Sequence, residues 1–269
     1  MRVSHCTAVV LAAAGAAVVC ASAGGAGPAP GYDSGARGVT GAGIRYVAIP
    51  AGRTTLVEAI RMRGGQVLRS RVLPGRWGVP FVANDGSTGG LARDGSTLVL
   101  GAQRRDASQF AVLDTSTLRA RQTITLRGTF SFDALSPNAR TLYLIQILSN
   151  RTARYSVRAY DLVQQRLLKQ AIVDKREAGE QMNGFPVSRT TSGTGRWVYT
   201  LYARPPAVPF VHALDAVGRK AVCIDLPWRG SQDGVPNLRL RLQGRKLLVA
   251  RPGAAPVVTV DTKTFRVKA

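Results

Sequence analysis

The chain has 269 residues, 45% of them hydrophobic, so it can bury a sizeable core as one large domain or two small ones. Arg and Lys number 37 against 15 Asp and Glu, a net charge of +22, which draws such a chain to anionic polymers and membrane surfaces. A GC-rich coding sequence would also produce the Arg skew, so the inference rests on net charge, not on Arg usage.

The N-terminus reads as an export signal, residues 1–23. Arg2 supplies a positive start, and Thr7 to Val19 form an apolar stretch too short to span a bilayer. Ala21-Ser22-Ala23 has the small-x-small pattern of a cleavage site, so the mature chain is expected to begin at Gly24. This predicts a secreted or envelope-associated protein on the extracellular side. Val19 and Ala17 do not suit a lipid-attachment motif around Cys20, so anchoring there is not expected. After cleavage Cys223 is the remaining cysteine, which excludes an intrachain disulfide. In Val222-Cys223-Ile224 it reads as a small buried hydrophobe; a catalytic thiol would need a base, and the mature chain offers only His212. No later segment is long and apolar enough to span a membrane.

Residues 24–40 are rich in Gly, Ala and Pro and read as a flexible linker. From Gly41 to Ala269 short apolar runs are broken by turn residues, the pattern of an all-β domain over 41–269. Val173 to Gln181 is highly charged with no apolar stripe and reads as a surface loop.

A unit repeats along this domain: a turn, an apolar strand, a loop, a second strand, then an Asp with a tight turn. The turns are Ala42-Gly43, Asp94-Gly95, Asn138-Ala139, Thr194-Gly195 and Gln243-Gly244, and the Asp-equivalent positions are Arg61, Asp114, Asp161, Asp215 and Asp261. Those last positions are 53, 47, 54 and 46 residues apart. One such unit cannot hide both faces of its small sheet, so successive units must pack on each other. An Asp after a strand can accept N–H groups two and three residues on and set a hairpin turn, so these four Asp read as structural.

Phe110-Ala111-Val112-Leu113-Asp114-Thr115-Ser116-Thr117 and Val257-Val258-Thr259-Val260-Asp261-Thr262-Lys263-Thr264 resemble the YVTN-type bacterial β-propeller repeat, a WD-repeat-like family of secreted proteins. Leu135-Ser136-Pro137-Asn138-Ala139-Arg140-Thr141-Leu142-Tyr143 is similar to that family's turn-and-strand segment. The resemblance implies a β-propeller, five blades of four-stranded antiparallel sheet, with six or seven irregular blades as the lesser alternative. Phe130 to Leu135, Pro186 to Thr190 and Asn237 to Leu242 suit the innermost strands. The first copy shows no obvious inner strand unless Tyr32 to Val39 supplies it.

In such a blade the loops between second and third strands share a face with the links between blades, and the central pocket is expected to open there. Three links share Gly-x-Pro, at Gly78, Gly184 and Gly234. Pro there suits strand entry; the segments could also shape the pocket mouth, with Trp77, Asn183 and Asp233 lining it. Every second-to-third-strand loop carries Arg: Arg53, Arg104 with Arg105, Arg151, Arg204 and Arg251. The links add Arg76, Arg127, Arg176 and Arg229, while the opposite turns look nearly uncharged apart from Lys263. Arg is frequent enough for chance to place several of these. A collar of guanidinium groups would hold phosphate or carboxylate.

These features predict a monomeric binding or scaffold protein whose partner is another protein, an anionic envelope polymer or lipid head groups. Specific nucleic-acid binding is not expected, because no recognised module appears. No catalytic residue, metal site or cofactor is expected: Glu occurs only at 58, 177 and 180, and neither a nucleophile elbow nor a phosphate loop is present. The alternative is a lactonase-like hydrolase or lyase with Asp133, Asp233 and Asn183 in a Ca²⁺-dependent axial pocket.

Overall fold

The computed structural model describes residues 31–35, 37–174 and 182–269. The expected signal peptide, the linker up to residue 30, and 175–181 of the charged loop lie outside the described residues.

The strands follow in chain order. A short β1 (Tyr32–Asp33) precedes a first sheet of β2 (Val39–Gly41), β3 (Ile44–Ala51), β4 (Thr54–Arg61) and β5 (Val67–Pro74). Then β6 (Val79–Pro80) pairs back on β1. The second sheet holds β7 (Thr97–Gln103), β8 (Ala107–Asp114) and β9 (Ala120–Arg127). The third is β10 (Phe130–Leu135), β11 (Thr141–Ser149), β12 (Arg154–Asp161) and β13 (Arg166–Ile172). The fourth is β14 (Phe185–Thr191), β15 (Trp197–Ala203), β16 (Phe210–Asp215) and β17 (Lys220–Asp225). The fifth is β18 (Arg239–Gln243), β19 (Lys246–Ala250), β20 (Val258–Asp261) and β21 (Val267–Lys268). Each sheet is an antiparallel meander in sequence order, which short turns allow and parallel pairing would not.

Side chains alternate across each strand, and both faces of the middle sheets are apolar. Thr55, Val57 and Ala59 of β4 are buried on the face toward the second sheet, while Leu56, Glu58 and Ile60 point the other way and are half-buried. Tyr46, Ala48 and Val57 pack against Leu98, Leu100 and Ala111. Val99, Phe110 and Val112 pack against Phe132, Leu142 and Leu144. Tyr143, Tyr155 and Val157 meet Val198, Tyr202 and Phe210, with Tyr202 stacked between Tyr155 and Phe210 at ring distances of 5.2 Å. Tyr199, Leu201 and Val211 meet Leu247, Val249 and Val260. At about 1.5–3 kcal/mol for each large apolar side chain, these layers supply the cohesion of the described residues, among which Cys223 is a free thiol. Among the described residues no such cluster joins the fifth sheet to the first, so apolar packing forms an arc of five stacked sheets.

Two expectations change. Strand pairing starts at Tyr32, so residues 31–40 do not all act as linker: Val39–Gly41 is the missing inner strand of the first sheet, paired with Ile44–Tyr46. The second sheet is the one that departs from four strands. At its inner position β7 meets isolated bridges, Leu91 to Leu98 and Gly78 to Gly101, with Val99 N–H bonded to Gly90 O at 2.7 Å. Gly86, Gly89 and Gly90 interrupt the run there, and glycine gives a strand neither side-chain packing nor conformational restriction.

Candidate functional site

In an antiparallel meander, the first and third turns lie at one end, and the second turn lies with the link to the next sheet at the other. The structure therefore places all the loop arginines of the sequence reading at the same end of their sheets. Arg53 is in the β3–β4 turn, Arg104 and Arg105 between β7 and β8, Arg151 between β11 and β12, Arg204 between β15 and β16, and Arg251 after β19. These loops are tied to the links beside them: Gly75 N–H bonds Arg53 O at 2.8 Å, and Gly128 N–H bonds Asp106 O at 2.8 Å. Arg53, Arg105, Arg151 and Arg251 are exposed and take part in no ion pair among the described residues. Arg104 donates from Nε to Gln109 Oε1 at 2.8 Å. Arg204 is partly spent: it pairs with Asp225 at 2.8 Å and lies 4.9 Å over the Phe210 ring. Arg76, Arg127 and Arg229 of the links are exposed at the same end, and Arg176 lies outside the described residues.

The opposite end carries the repeat Asp turns. Asp114 Oδ1 accepts from Ser116 N–H at 2.7 Å, Asp161 Oδ1 from Val163 and Gln164 at 2.9 Å, and Asp261 Oδ1 from Thr264 at 2.8 Å. These bonds favour the ionised form. The Asp261 carboxyl is held down to about 2, first by the Thr264 N–H, and the Ser116 hydroxyl and Arg121 hold Asp114 below the usual carboxylate range. Burial pushes Asp215 up, but its bonds to Arg196 and to the N–H groups of Gly218 and Val217 win, and its pKa falls.

This end is not nearly uncharged, as the sequence suggested. Each Asp turn closes several residues on, at Arg119, Arg166, Lys220 and Arg266, so cations excluded from the short turn still border it. Here Arg121, Arg196 and Arg245 are paired with Asp114, Asp215 and Asp261, while Arg119, Arg166 and Arg266 are exposed and in no ion pair among the described residues.

The largest change concerns the axial cavity, about 370 Å³ in volume. Gly41, Ala42, Arg93 and Gly195 line it, all from first-to-second-strand turns, so it belongs to the Asp-turn end and not to the arginine end. At the arginine end, the Phe81–Thr88 hairpin crosses the axis, where Asn84 and Asp85 N–H groups bond Pro186 O at 2.9 Å and Val187 O at 3.2 Å. The cavity floor holds Asp133, 2% exposed, whose Oδ1 pairs with Arg189; Arg189 Nε also donates to Thr200 Oγ1 at 2.9 Å.

Of the residues expected at a common mouth, none reaches this cavity. Trp77 is buried between the first and second sheets, its Nε1–H donated to Pro74 O at 2.7 Å. Asn183 is half-buried next to a void of about 20 Å³, room for one water, which Cys223 also lines. Asp233 is exposed in a 3-10 turn, Gln232–Asn237, its backbone N–H accepted by Ser231 Oγ at 3.2 Å. The carboxylate pair on which an enzymatic pocket would depend is therefore not assembled: Asp133 lines the axial cavity and Asp233 is exposed in the link between the fourth and fifth sheets.

One pairing was not legible in the sequence. His212 and Cys223 are cross-strand partners on β16 and β17, with Cys223 Sγ 3.9 Å from His212 Nδ1. Burial pushes His212 down to about 4, so it is neutral in the core.

The sequence matches no protein-family model and no curated protein. Among solved structures, puromycin hydrolase superposes with a TM-score of 0.50 at 18% identity, over 91% of this chain and 39% of that one. The β-propeller domain of Myceliophteria thermophila Cps50 (Swd1) gives 0.48 at 14% identity over 82% of this chain and 64% of that one. TolB from Acinetobacter baumannii gives 0.44 at 13% identity over 84% and 51%. The chain spans less than two thirds of the length of each. At such identities the likeness concerns fold alone: the chain is an all-β protein built of propeller-type sheets.

Proposed function

We propose that this chain is an exported propeller-type binding protein of the cell envelope or extracellular space, which holds an anionic partner on its arginine end. The observation that carries this reading is positional. Successive sheets present guanidinium groups in the same loop, and Arg53, Arg105, Arg151 and Arg251 stand exposed outside any ion pair among the described residues. Guanidinium pairs with phosphate and carboxylate two bonds at a time, and a net charge of +22 adds long-range attraction. Export is supported by Arg2, the apolar stretch from Thr7 to Val19 and Ala21-Ser22-Ala23. No helix of the described residues is long and apolar enough to cross a membrane.

Binding of the mature chain to anionic and to zwitterionic lipid vesicles, each at low and raised salt, tests the reading. It predicts binding to anionic vesicles only, falling steeply with salt. Equal binding to both surfaces, or indifference to salt, would refute it. Export predicts that protein recovered outside the cell has the mass of a chain starting at Gly24; a mass retaining residues 1–23 contradicts cleavage.

A further inference from the structure

Beside the fifth sheet lies a groove of about 320 Å³ lined by Arg239, Arg241 and Arg251, together with Ala250 and the Pro252–Ala254 turn. Arg239 and Arg241 are two apart on β18 and so share a face. Arg239 pairs in register with Ala250, which brings Arg251 to the same edge. The Arg251 turn is well defined: Ala254 N–H bonds Arg251 O at 3.1 Å, and Pro252 precedes Gly253 at φ 75°, the arrangement of a type II turn. Arg239 is fixed too, with Nη1 donating to Pro236 O at 2.9 Å and Leu238 O at 2.8 Å.

Four other cavities that hold arginine have an acid in the lining or paired with the lining arginine. Asp133 is in the axial cavity, Asp161 stands with Arg140 and Arg219, Asp174 with Arg204, and the Arg121 of another is paired with Asp114. Among the described residues no carboxylate lines the groove itself, and Asp85 stands against it, with Oδ2 3.8 Å from Arg239 Nε. It offsets one guanidinium and leaves two.

We propose that this groove binds a phosphate group, held by Arg239, Arg241 and Arg251. The proposal rests on the arginine-end reading and names the ligand chemistry of one part of it. One guanidinium fork satisfies the two oxygens of a carboxylate, whereas the two guanidinium groups left over, on Arg241 and Arg251, together suit a group with three or more oxygens and up to two charges.

Calorimetric titration of the mature protein with inorganic tripolyphosphate tests it, with folding of each variant checked by thermal melting. Arg241→Ala and Arg251→Ala should each weaken binding about tenfold, the scale of a lost charge-assisted pair. Arg241→Lys should also weaken it, since lysine keeps the charge and loses the fork. Arg121→Ala, at the other end, should stay within about twofold of the wild type, as expected for an exposed charge that makes no direct contact. Wild-type affinity in all the groove variants would overturn the groove while leaving the arginine-end reading intact. Equal affinity for polyglutamate, equally sensitive to the same variants, would overturn the phosphate assignment. Failure of the wild type to bind tripolyphosphate overturns the groove; failure on anionic vesicles as well overturns both.

Discussion

His212 is 1% exposed on β16, and its Nε2 has no hydrogen-bond partner among the described residues. Its pKa is about 4 in the fold against 6.5 for an ordinary histidine, because burial disfavours the charged ring. The unfolded chain therefore takes up a proton below about pH 6.5, which the folded chain refuses until about pH 4. Stability is full above the upper value and is lost as pH falls across that window, by about 3 kcal/mol. The repeat Asp carboxyls, lowered in the fold, contribute in a separate window, losing their stabilisation only below about pH 4. Urea unfolding from pH 7 to 4.5 should show a falling midpoint that His212→Leu flattens; a flat wild-type profile would refute this. The Asp turns were legible because an Asp acts within three residues of itself. The His212–Cys223 contact was not, because it depends on the register of β16 with β17. Nor were Leu118, Gln165, Arg219 and Phe265, which adopt left-handed backbone at the same turn position with no glycine to announce it.

Between elements, a buried hydroxyl recurs where the third strand of a sheet meets the link to the next. Thr55 Oγ1 donates to Gly75 O at 2.8 Å and accepts Trp77 N–H at 2.9 Å. Ser108 Oγ lies 3.0 Å from Gly128 O and accepts Phe130 N–H at 2.7 Å, with the same sequence separations. Each latch fixes how one sheet hands the chain to the next inner strand. Ser108→Ala leaves the Phe130 N–H buried without an acceptor, and should cost about 1–3 kcal/mol by thermal or urea unfolding. Ser108→Thr, the residue of the first sheet, should retain most of that stability; an alanine variant as stable as the wild type would remove the latch from the account. The repeat spacing revealed the five units, yet misplaced the irregular one. The three residues of β2 are too few for alternation to show, and the glycines of 86–90 hid that the second sheet lacks a regular inner strand.

For the whole molecule, apolar packing from the first sheet to the fifth gives an arc with two chemically distinct ends. Strand order made the ends predictable, because turn parity alone assigns each loop. The side on which the axis is open was not, since the Phe81–Thr88 hairpin covers the axis at the arginine end through backbone bonds that no side-chain pattern encodes. Both ends are basic and both carry exposed guanidinium groups outside any ion pair among the described residues, so net charge cannot distinguish a bound face from general attraction; the difference is that the Asp-turn end also pairs Arg121, Arg196 and Arg245 with the repeat Asp. The decisive measurement removes equal charge from each end. Binding to anionic vesicles is compared for Arg53→Ala/Arg105→Ala/Arg151→Ala and for Arg119→Ala/Arg166→Ala/Arg266→Ala. The account predicts a loss of about tenfold or more for the first triple variant and about twofold for the second, since the partner contacts one end and senses the other only through screened field. Equal losses from both would contradict it.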